Sequence, residues 1–272
     1  MSLKEKENKL ESILRGLGRV IVAFSGGVDS SYLAYKAHTV LGSGALAVTS
    51  QSPSVPASQM EQAVLIARQF GLAHEIIPTH ETELPEYQAN APNRCYLCKN
   101  VLFARLAAIA RENGFKAVLD GLNADDLDDY RPGRQAAEEN QVLSPLMQVG
   151  LNKEEIRQLS RQAGLPTADL PASACLASRF AYGVGITDDK LRIVDRGEDA
   201  LRMLGFRVFR VRHHDSLVRL EFGREELGKA LNLEMAERLA ALFKDLGYKY
   251  VTVDLQGYRT GSLNEVLPLA KK

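Results

Sequence analysis

The stretch Ser25-Gly26-Gly27-Val28-Asp29-Ser30 gathers the residue types that an anion site needs. Glycine reaches backbone dihedrals that are costly for other residues and places no Cβ in the way, so neighbouring N–H groups can converge on one anion. A helix beginning just after the glycines adds its positive end. The hydroxyls of Ser25 and Ser30 supply further donors. Asp29 repels phosphate oxygens directly, so its natural task is to hold a magnesium ion that bridges them. No Gly-Lys-Ser/Thr follows, which excludes the Walker loop. A generic glycine turn is the plain alternative, but a complete S-G-G-x-D-S after an apolar strand argues against it. A second group of reactive side chains consists of three cysteines, two in Cys95-Tyr96-Leu97-Cys98 and one far away at Cys175. Their number and spacing do not make a secreted disulfide framework, which leaves metal, cluster or catalytic use.

These groups need a scaffold, and the hydrophobic pattern supplies one. Apolar residues at helical spacing over Leu10 to Leu17 give way to the run Val20-Ile21-Val22-Ala23-Phe24, which reads as a buried parallel strand ending at the glycines. A helix is predicted over residues 30–40, then a strand over Ala45–Thr49, a helix over 58–70 and a strand over Glu75–Pro78. A helix over 99–113 precedes the strand Ala117-Val118-Leu119-Asp120-Gly121, and another helix covers 153–163. Repeated strand-then-helix units argue for an α/β fold, a doubly wound parallel sheet with its ligand at the carboxyl ends of the strands, where Gly121 also lies. The turn-rich segment from Gly164 to Ala172 marks a boundary, giving domains 1–170 and 171–272. Beyond it, a helix over 188–204, strands over 208–212 and 216–222 with half-exposed alternation, a helix over 225–246 and a strand over 250–255 predict a smaller α+β domain.

Lys plus Arg equals Asp plus Glu at 34 each, so no global positive field draws the chain to nucleic acid or anionic lipid. No run of 18 or more apolar residues occurs, and Met1 to Glu7 is charged where a secretory signal turns apolar, so a cytoplasmic protein is expected.

The hexapeptide Ser25 to Ser30 resembles the PP-loop of the N-type ATP pyrophosphatases, whose fold is adenine nucleotide alpha hydrolase-like. Three further blocks, Asp120 to Asp126 with Asp129-Tyr130-Arg131-Pro132-Gly133, Ser173 to Phe180, and Asp254 to Gly261, resemble the LarE-type sulfurtransferases of nickel-pincer cofactor maturation for lactate racemase. The loop alone indicates only the superfamily; the combination is more specific and spans nearly the whole chain. The resemblance implies ATP and Mg2+, with Ser25, Gly26, Gly27, Asp29, Ser30 and Gly121 at the nucleotide. It implies a carboxylate of a pyridinium-dicarboxylate mononucleotide as the group adenylated and then converted to a thiocarboxylate. A carboxylate resists nucleophiles because oxide is a poor leaving group, and AMP is a good one. A homo-oligomer and a small domain that binds substrate and oligomerises are likewise implied.

Members of this family with only the cysteine matching Cys175 sacrifice its sulfur and end as dehydroalanine. Here Cys95 and Cys98 accompany it, and three thiolates can hold three irons of a 4Fe-4S cluster, leaving the fourth open to a hydrosulfide. The sulfur would then come from sulfide or another donor. A zinc or purely redox pair, and an inert Cys175, remain alternatives, although structural zinc usually takes four ligands. For the substrate's phosphate, Arg210, Arg212 and Arg259 match family positions, and the first two share one strand face. Arg179, Ser178 and Lys99 would complete that site, with Glu198 and Glu221 supporting it or serving as plain ion-pair partners. The acidic loop Asp125, Asp126, Asp128 and Asp129 reads as solvated, with no catalytic role. His213 and His214 are adjacent and cannot share a strand face, which argues against a metal pair. Two rivals stand beside the sulfurtransferase: a tRNA thiolase or other PP-loop ligase, and a non-catalytic nucleotide-binding redox sensor. The absence of a basic surplus counts against tRNA.

Overall fold

Successive residues of a strand point to opposite sides, so the unbroken apolar run Val20-Ile21-Val22 is stable only where both sides are covered. That is its setting in the computed structural model, which describes residues 1–127, 132–171 and 174–259. In chain order the elements are α1 (Leu3–Leu17), β1 (Val20–Ala23), α2 (Val28–Leu41), β2 (Ala45–Gln51), α3 (Ala57–Gln69), β3 (His74–Pro78), α4 (Pro85–Gln88), α5 (Arg94–Asn113), β4 (Ala117–Leu119), α6 (Pro132–Glu139), α7 (Pro145–Gln148) and α8 (Lys153–Gln162). There follow α9 (Asp188–Met203), β5 (Phe209–His214), β6 (Leu217–Phe222), α10 (Leu227–Ala230), α11 (Leu233–Asp245) and β7 (Tyr250–Val253). Two compact units result, one formed by residues 1–87 and 92–173, the other by 88–91 together with residues from 174 onward.

The first unit holds a parallel sheet in the order β3-β2-β1-β4, and a parallel bridge between Leu119 and Leu143 extends its β4 edge. Val20, Val22 and Leu119 pack on one side with Leu10 and Leu14 of α1, Leu33 of α2, Ile66 of α3 and Ile156 of α8. Ile21, Val48 and Val118 pack on the other side with Phe103, Leu106 and Ile109 of α5 and Ala136 of α6. Helices on both faces make the sheet doubly wound, as its apolar strands predict. The loops after β1 and β4 leave from the carboxyl ends of adjacent strands, which places Gly121 against Asp29 and Ser30.

The second unit pairs β5 antiparallel with β6 and β6 parallel with β7, the latter crossover running through α10 and α11. Three sequence expectations change here. The helix expected from residue 99 starts at Arg94, so Cys95 and Cys98 lie within α5 and not ahead of it. The single helix expected over 225–246 is two, because Asn232 turns its side chain to accept from Glu234 N and Met235 N and so starts α11 anew. The strands expected to be half-exposed are largely buried, with Arg212 6% and Glu221 1% exposed, since these charges satisfy one another. Among the described residues, no helix is long and apolar enough to cross a membrane.

Candidate active site

The apolar run of β1 ends at Phe24, and the chain then turns through Gly26, whose φ of 74° lies in the region that disfavours side chains. A Cβ there would also stand 3.0 Å from Ala63 N, so α3 backs the loop directly. Gln59 of α3 donates to the Ser25 carbonyl at 2.8 Å. Gly27 caps α2 without a side-chain partner, leaving the first N–H groups of that helix directed out of its end. Ser25 Oγ and Ser30 Oγ lie 3.1 Å apart, and Ser30 Oγ accepts from Ser25 N at 3.2 Å. Gly121 has a packing role: a Cβ on it would sit 3.0 Å from Ser30 N and 3.3 Å from Asp29 Cβ. Gly121→Ala is therefore expected to cost about 1–3 kcal/mol of stability by overpacking. It should also weaken ATP binding, because Ser30 must shift. Calorimetric unfolding with equilibrium dialysis of ATP checks both.

Asp29 stands in the first turn of α2, its Oδ2 2.5 Å from Lys153 Nζ. A magnesium ion suits this carboxylate, since a cationic ammonium already stands against it. Lys153 opens α8, and its backbone N–H donates to Asp125 Oδ2 at 2.9 Å. Asp125 N in turn donates to Asn123 Oδ1 at 2.9 Å, and Asn123 N to Asp126 Oδ2 at 3.0 Å. Asp126 is 8% exposed. The acidic loop is thus not simply solvated: Asp125 and Asp126 satisfy backbone donors beside the nucleotide loop, while Asp128, Asp129 and Arg131 lie outside the described residues. Asp120 is buried, which pushes its carboxyl up, an effect countered by the Ser144 hydroxyl and the charge of Lys99. Lys99 belongs to α5 of the first unit, where its Nζ also lies 5.2 Å from the centre of the Phe103 ring. Sequence reading missed Lys153, whose spacing from the glycine loop along the chain carries no signal, and gave Asp120 and Asn123 no role beyond their place in a family block.

In the second unit two of the sequence-predicted basic residues, Arg179 and Arg212, both bind Ser178. Arg179 binds Glu198 through two parallel contacts of 2.8 Å. Its Nη1 donates to the carbonyls of Ala174 and Cys175 at 2.8 and 3.1 Å and to Ser178 Oγ at 2.8 Å. Burial lowers the Arg179 guanidinium's affinity for its proton, but the Glu198 charge and hydrogen bonds, with smaller neighbouring contributions, together hold it above its ordinary value. For Glu198, burial acts upward, but the Arg179 charge and hydrogen bonds, the Arg210 charge and the Val211 N–H together hold its carboxyl below the ordinary value. Arg212 donates to the Ser178 carbonyl and to Glu221 Oε2, both at 2.8 Å. Arg219 reaches Glu221 Oε1 at 3.2 Å. Arg210 lies 4.7 Å from the centre of the Tyr258 ring, and burial and then the Arg179 charge depress its guanidinium. Arg259 donates to the Gly257 carbonyl at 3.5 Å. Glu198 and Glu221 are thus buried ion-pair partners that fix Arg179 and Arg212. Ser173, Thr260 and Gly261 of the family blocks lie outside the described residues.

Removing one partner of a buried pair leaves the other uncompensated. Glu198→Ala is therefore expected to destabilise the second unit by about 3–5 kcal/mol. In the wild type, the stabilisation from the depressed Glu198 carboxyl is present above the unfolded glutamate value of about 4.3. It is lost as pH falls from there through the folded value. Urea unfolding of both proteins between neutral and acidic pH reads magnitude and sign.

Cys95 and Cys98, three apart on α5, lie on one side of the helix one turn apart, Cys95 exposed and Cys98 half-buried. Cys175 is half-buried and belongs to the second unit, where its carbonyl accepts from Ser178 N, Ser178 Oγ and Arg179. None of the three is in a disulfide. The one-turn spacing of Cys95 and Cys98 suits two ligands to one centre. Among the described residues no three His, Cys, Asp or Glu side chains are grouped to hold a metal ion.

A glycine loop joining a parallel strand to a helix N-terminus, with a carboxylate in the first turn, defines a PP-loop nucleotide domain. The family described as asparagine synthase matches residues 9–192. An uncharacterised protein of Synechocystis is 44% identical over 264 residues, 96% of this chain and 98% of its own. The pyridinium-3,5-bisthiocarboxylic acid mononucleotide synthase of Lactiplantibacillus plantarum is 34% identical over 271 residues, 99% of this chain and 98% of its own. A tRNA-specific 2-thiouridylase of Trichlorobacter lovleyi is 28% identical over 187 residues, 56% of this chain and 52% of its own. The chain belongs to the asparagine synthase-type PP-loop family, in the LarE-type branch that contains the Lactiplantibacillus synthase.

Proposed function

We propose that the protein is an ATP-dependent sulfurtransferase that adenylates a carboxylate of a pyridinium-dicarboxylate mononucleotide and converts it to a thiocarboxylate for a nickel-pincer cofactor. The observation that carries this is the Ser25–Ser30 loop with Asp29 at its helix end, in a chain that matches the synthase over 99% of its length. The carboxylate oxygen attacks the α-phosphorus of ATP, and the bond to the β-phosphate breaks with pyrophosphate taking the electron pair. Loop N–H groups and the hydroxyls of Ser25 and Ser30 receive the departing charge. A magnesium ion on Asp29 would neutralise phosphate charge. Hydrosulfide then attacks the acyl carbon and AMP leaves, so the carboxylate oxygen departs with AMP and sulfur takes its place. A 4Fe-4S cluster on Cys95, Cys98 and Cys175 would supply that sulfur, replenished from sulfide or another donor.

Arg210 is the leading partner for the substrate's phosphate. It lies in a desolvated setting near a second guanidinium, and an anion there would relieve the repulsion. Arg179, Arg212, Arg259, Ser178 and Lys99 would complete or shape that site, with the second unit also joining copies of a cytoplasmic homo-oligomer. Thiouridylases match at 25–28% identity over 56–78% of this chain, against 34% over 99% for the synthase, which favours the mononucleotide over tRNA. The test is pyrophosphate release from ATP with the mononucleotide, with tRNA and with neither. Release that requires the mononucleotide supports the reading, release with tRNA transfers it to a thiolase, and none at all fits a nucleotide-binding sensor.

A further inference from the structure

The backbone around Ser25 is held from two neighbouring elements. Gln59 of α3 takes the Ser25 carbonyl, and the Phe24 carbonyl just before it accepts from Thr49 Oγ1 of β2 at 2.7 Å. Thr49 is buried, and its Oγ1 also lies 2.8 Å from His74 Nε2 of β3. A carbonyl only accepts, and threonine has a single hydroxyl hydrogen. That hydrogen is committed to Phe24, so Thr49 must accept from His74, whose ring proton therefore sits on Nε2. Burial holds the His74 imidazole below its ordinary value, which favours the neutral ring with one N–H. The ring stands edge-on to Phe24, with centres 5.5 Å apart at an angle of 81°.

The Phe24 carbonyl and the Ser25 N–H belong to one planar peptide, and Ser25 N donates to Ser30 Oγ at 3.2 Å. Every link thus points the same way, from β3 across β2 and β1 into the first turn of α2. Aligned hydrogen bonds of this kind polarise one another where water is scarce. Their direction decides what Ser30 can offer an anion. Because Ser30 Oγ accepts from Ser25 N, its own hydrogen remains to be given. At rest it has the Gly27 carbonyl at 3.3 Å, a long bond that a phosphate oxygen can replace. A chain of the opposite sense would turn a lone pair toward the phosphates.

We propose that His74 is a positioning residue for the nucleotide loop: through Thr49 and the Phe24–Ser25 peptide it keeps Ser30 a hydrogen-bond donor to the phosphates of ATP. This role rests on the PP-loop reading of the site and is independent of which group is adenylated.

The experiment compares full-length wild type with four variants. His74→Gln keeps a donor near the Nε2 position, His74→Phe keeps only the ring, Thr49→Val removes the hydroxyl, and a double variant combines the last two. Calorimetry measures affinity for magnesium ATP, and nitrogen NMR of the wild type reads which ring nitrogen of His74 carries the proton. His74→Phe is expected to lose about 3- to 10-fold in affinity, the worth of one neutral hydrogen bond. Thr49→Val should lose at least as much, and the double variant no more than Thr49→Val, because both substitutions break the same chain. His74→Gln should bind within about twofold of wild type, since it restores the donor. The NMR should place the proton on Nε2. A proton on Nδ1, losses that add in the double variant, or His74→Phe binding as wild type would leave His74 a plain packing residue and overturn the proposal. Should His74→Phe fail to fold, the NMR and the contrast between His74→Gln and Thr49→Val decide. A wild type that binds no magnesium ATP would also overturn it. The expected losses in a protein that adenylates no mononucleotide would leave this role standing and remove the substrate reading. Mononucleotide adenylation with ATP affinity unchanged in every variant would do the reverse.

Discussion

Asp29→Asn is expected to abolish substrate-dependent pyrophosphate release while the protein stays folded. The carboxylate is the metal-competent group at the helix end, and an amide is a far poorer ligand for magnesium. The fold should tolerate the change because the ion pair with Lys153 that it removes is partly exposed and worth about 1 kcal/mol or less. Removing the charge also leaves the ammonium without its partner at the loop, so ATP without magnesium should bind the variant no worse than wild type. A coupled phosphate assay, magnesium titration and thermal unfolding together decide the matter. Full pyrophosphate release by the variant would sink the assignment of Asp29.

The cysteines carry the second large effect. If a cluster relays the sulfur, Cys95→Ala, Cys98→Ala and Cys175→Ala should each lose iron and sulfur transfer, yet all three should still release pyrophosphate, because the nucleotide loop contains no cysteine. If Cys175 is sacrificial, only its replacement should stop transfer. Its Cβ–Sγ bond breaks as the α-proton is lost, and wild type becomes dehydroalanine there after one turnover. Anaerobic iron analysis and mass spectrometry of the reacted protein separate the cases. Intact Cys175 after several turnovers with added sulfide supports the cluster. Dehydroalanine together with undiminished transfer in the Cys95 and Cys98 variants defeats it.

The glycine turn between β1 and α2 was legible because its signals are local. An apolar run ending in glycines says both where the strand stops and which conformation follows, and Gly26 occupies the positive φ that this implies. The start of α5 was not legible. Asn93-Arg94-Cys95 follows a proline and lacks apolar spacing, so nothing in the pattern showed that both cysteines ride on a helix. Strands β5 and β6 misled for a related reason. Alternating Arg and Glu reads as a wet face, but Arg179 with Glu198 and Arg212 with Glu221 neutralise one another across strands and helices, and charges matched in this way can be buried. Lys153 was invisible for lack of any local cue. Its meaning arises only when the chain folds it against a carboxylate 124 residues earlier.

The four residues 88–91 group with the second unit although they are threaded between elements of the first. There Asn90, fully buried, donates to the carbonyls of Ala181 and Val184 at 2.8 and 2.9 Å, and Gly183 N and Ile186 N donate back to Asn90 and Gln88. During synthesis this short stretch emerges long before the residues that receive it, so the second unit cannot finish assembling until some ninety further residues have been made. A fragment that begins at residue 174 would lack those hydrogen bonds altogether. Any attempt to express the two halves as separate genes must therefore either carry 88–91 across as a grafted peptide or accept an incomplete core.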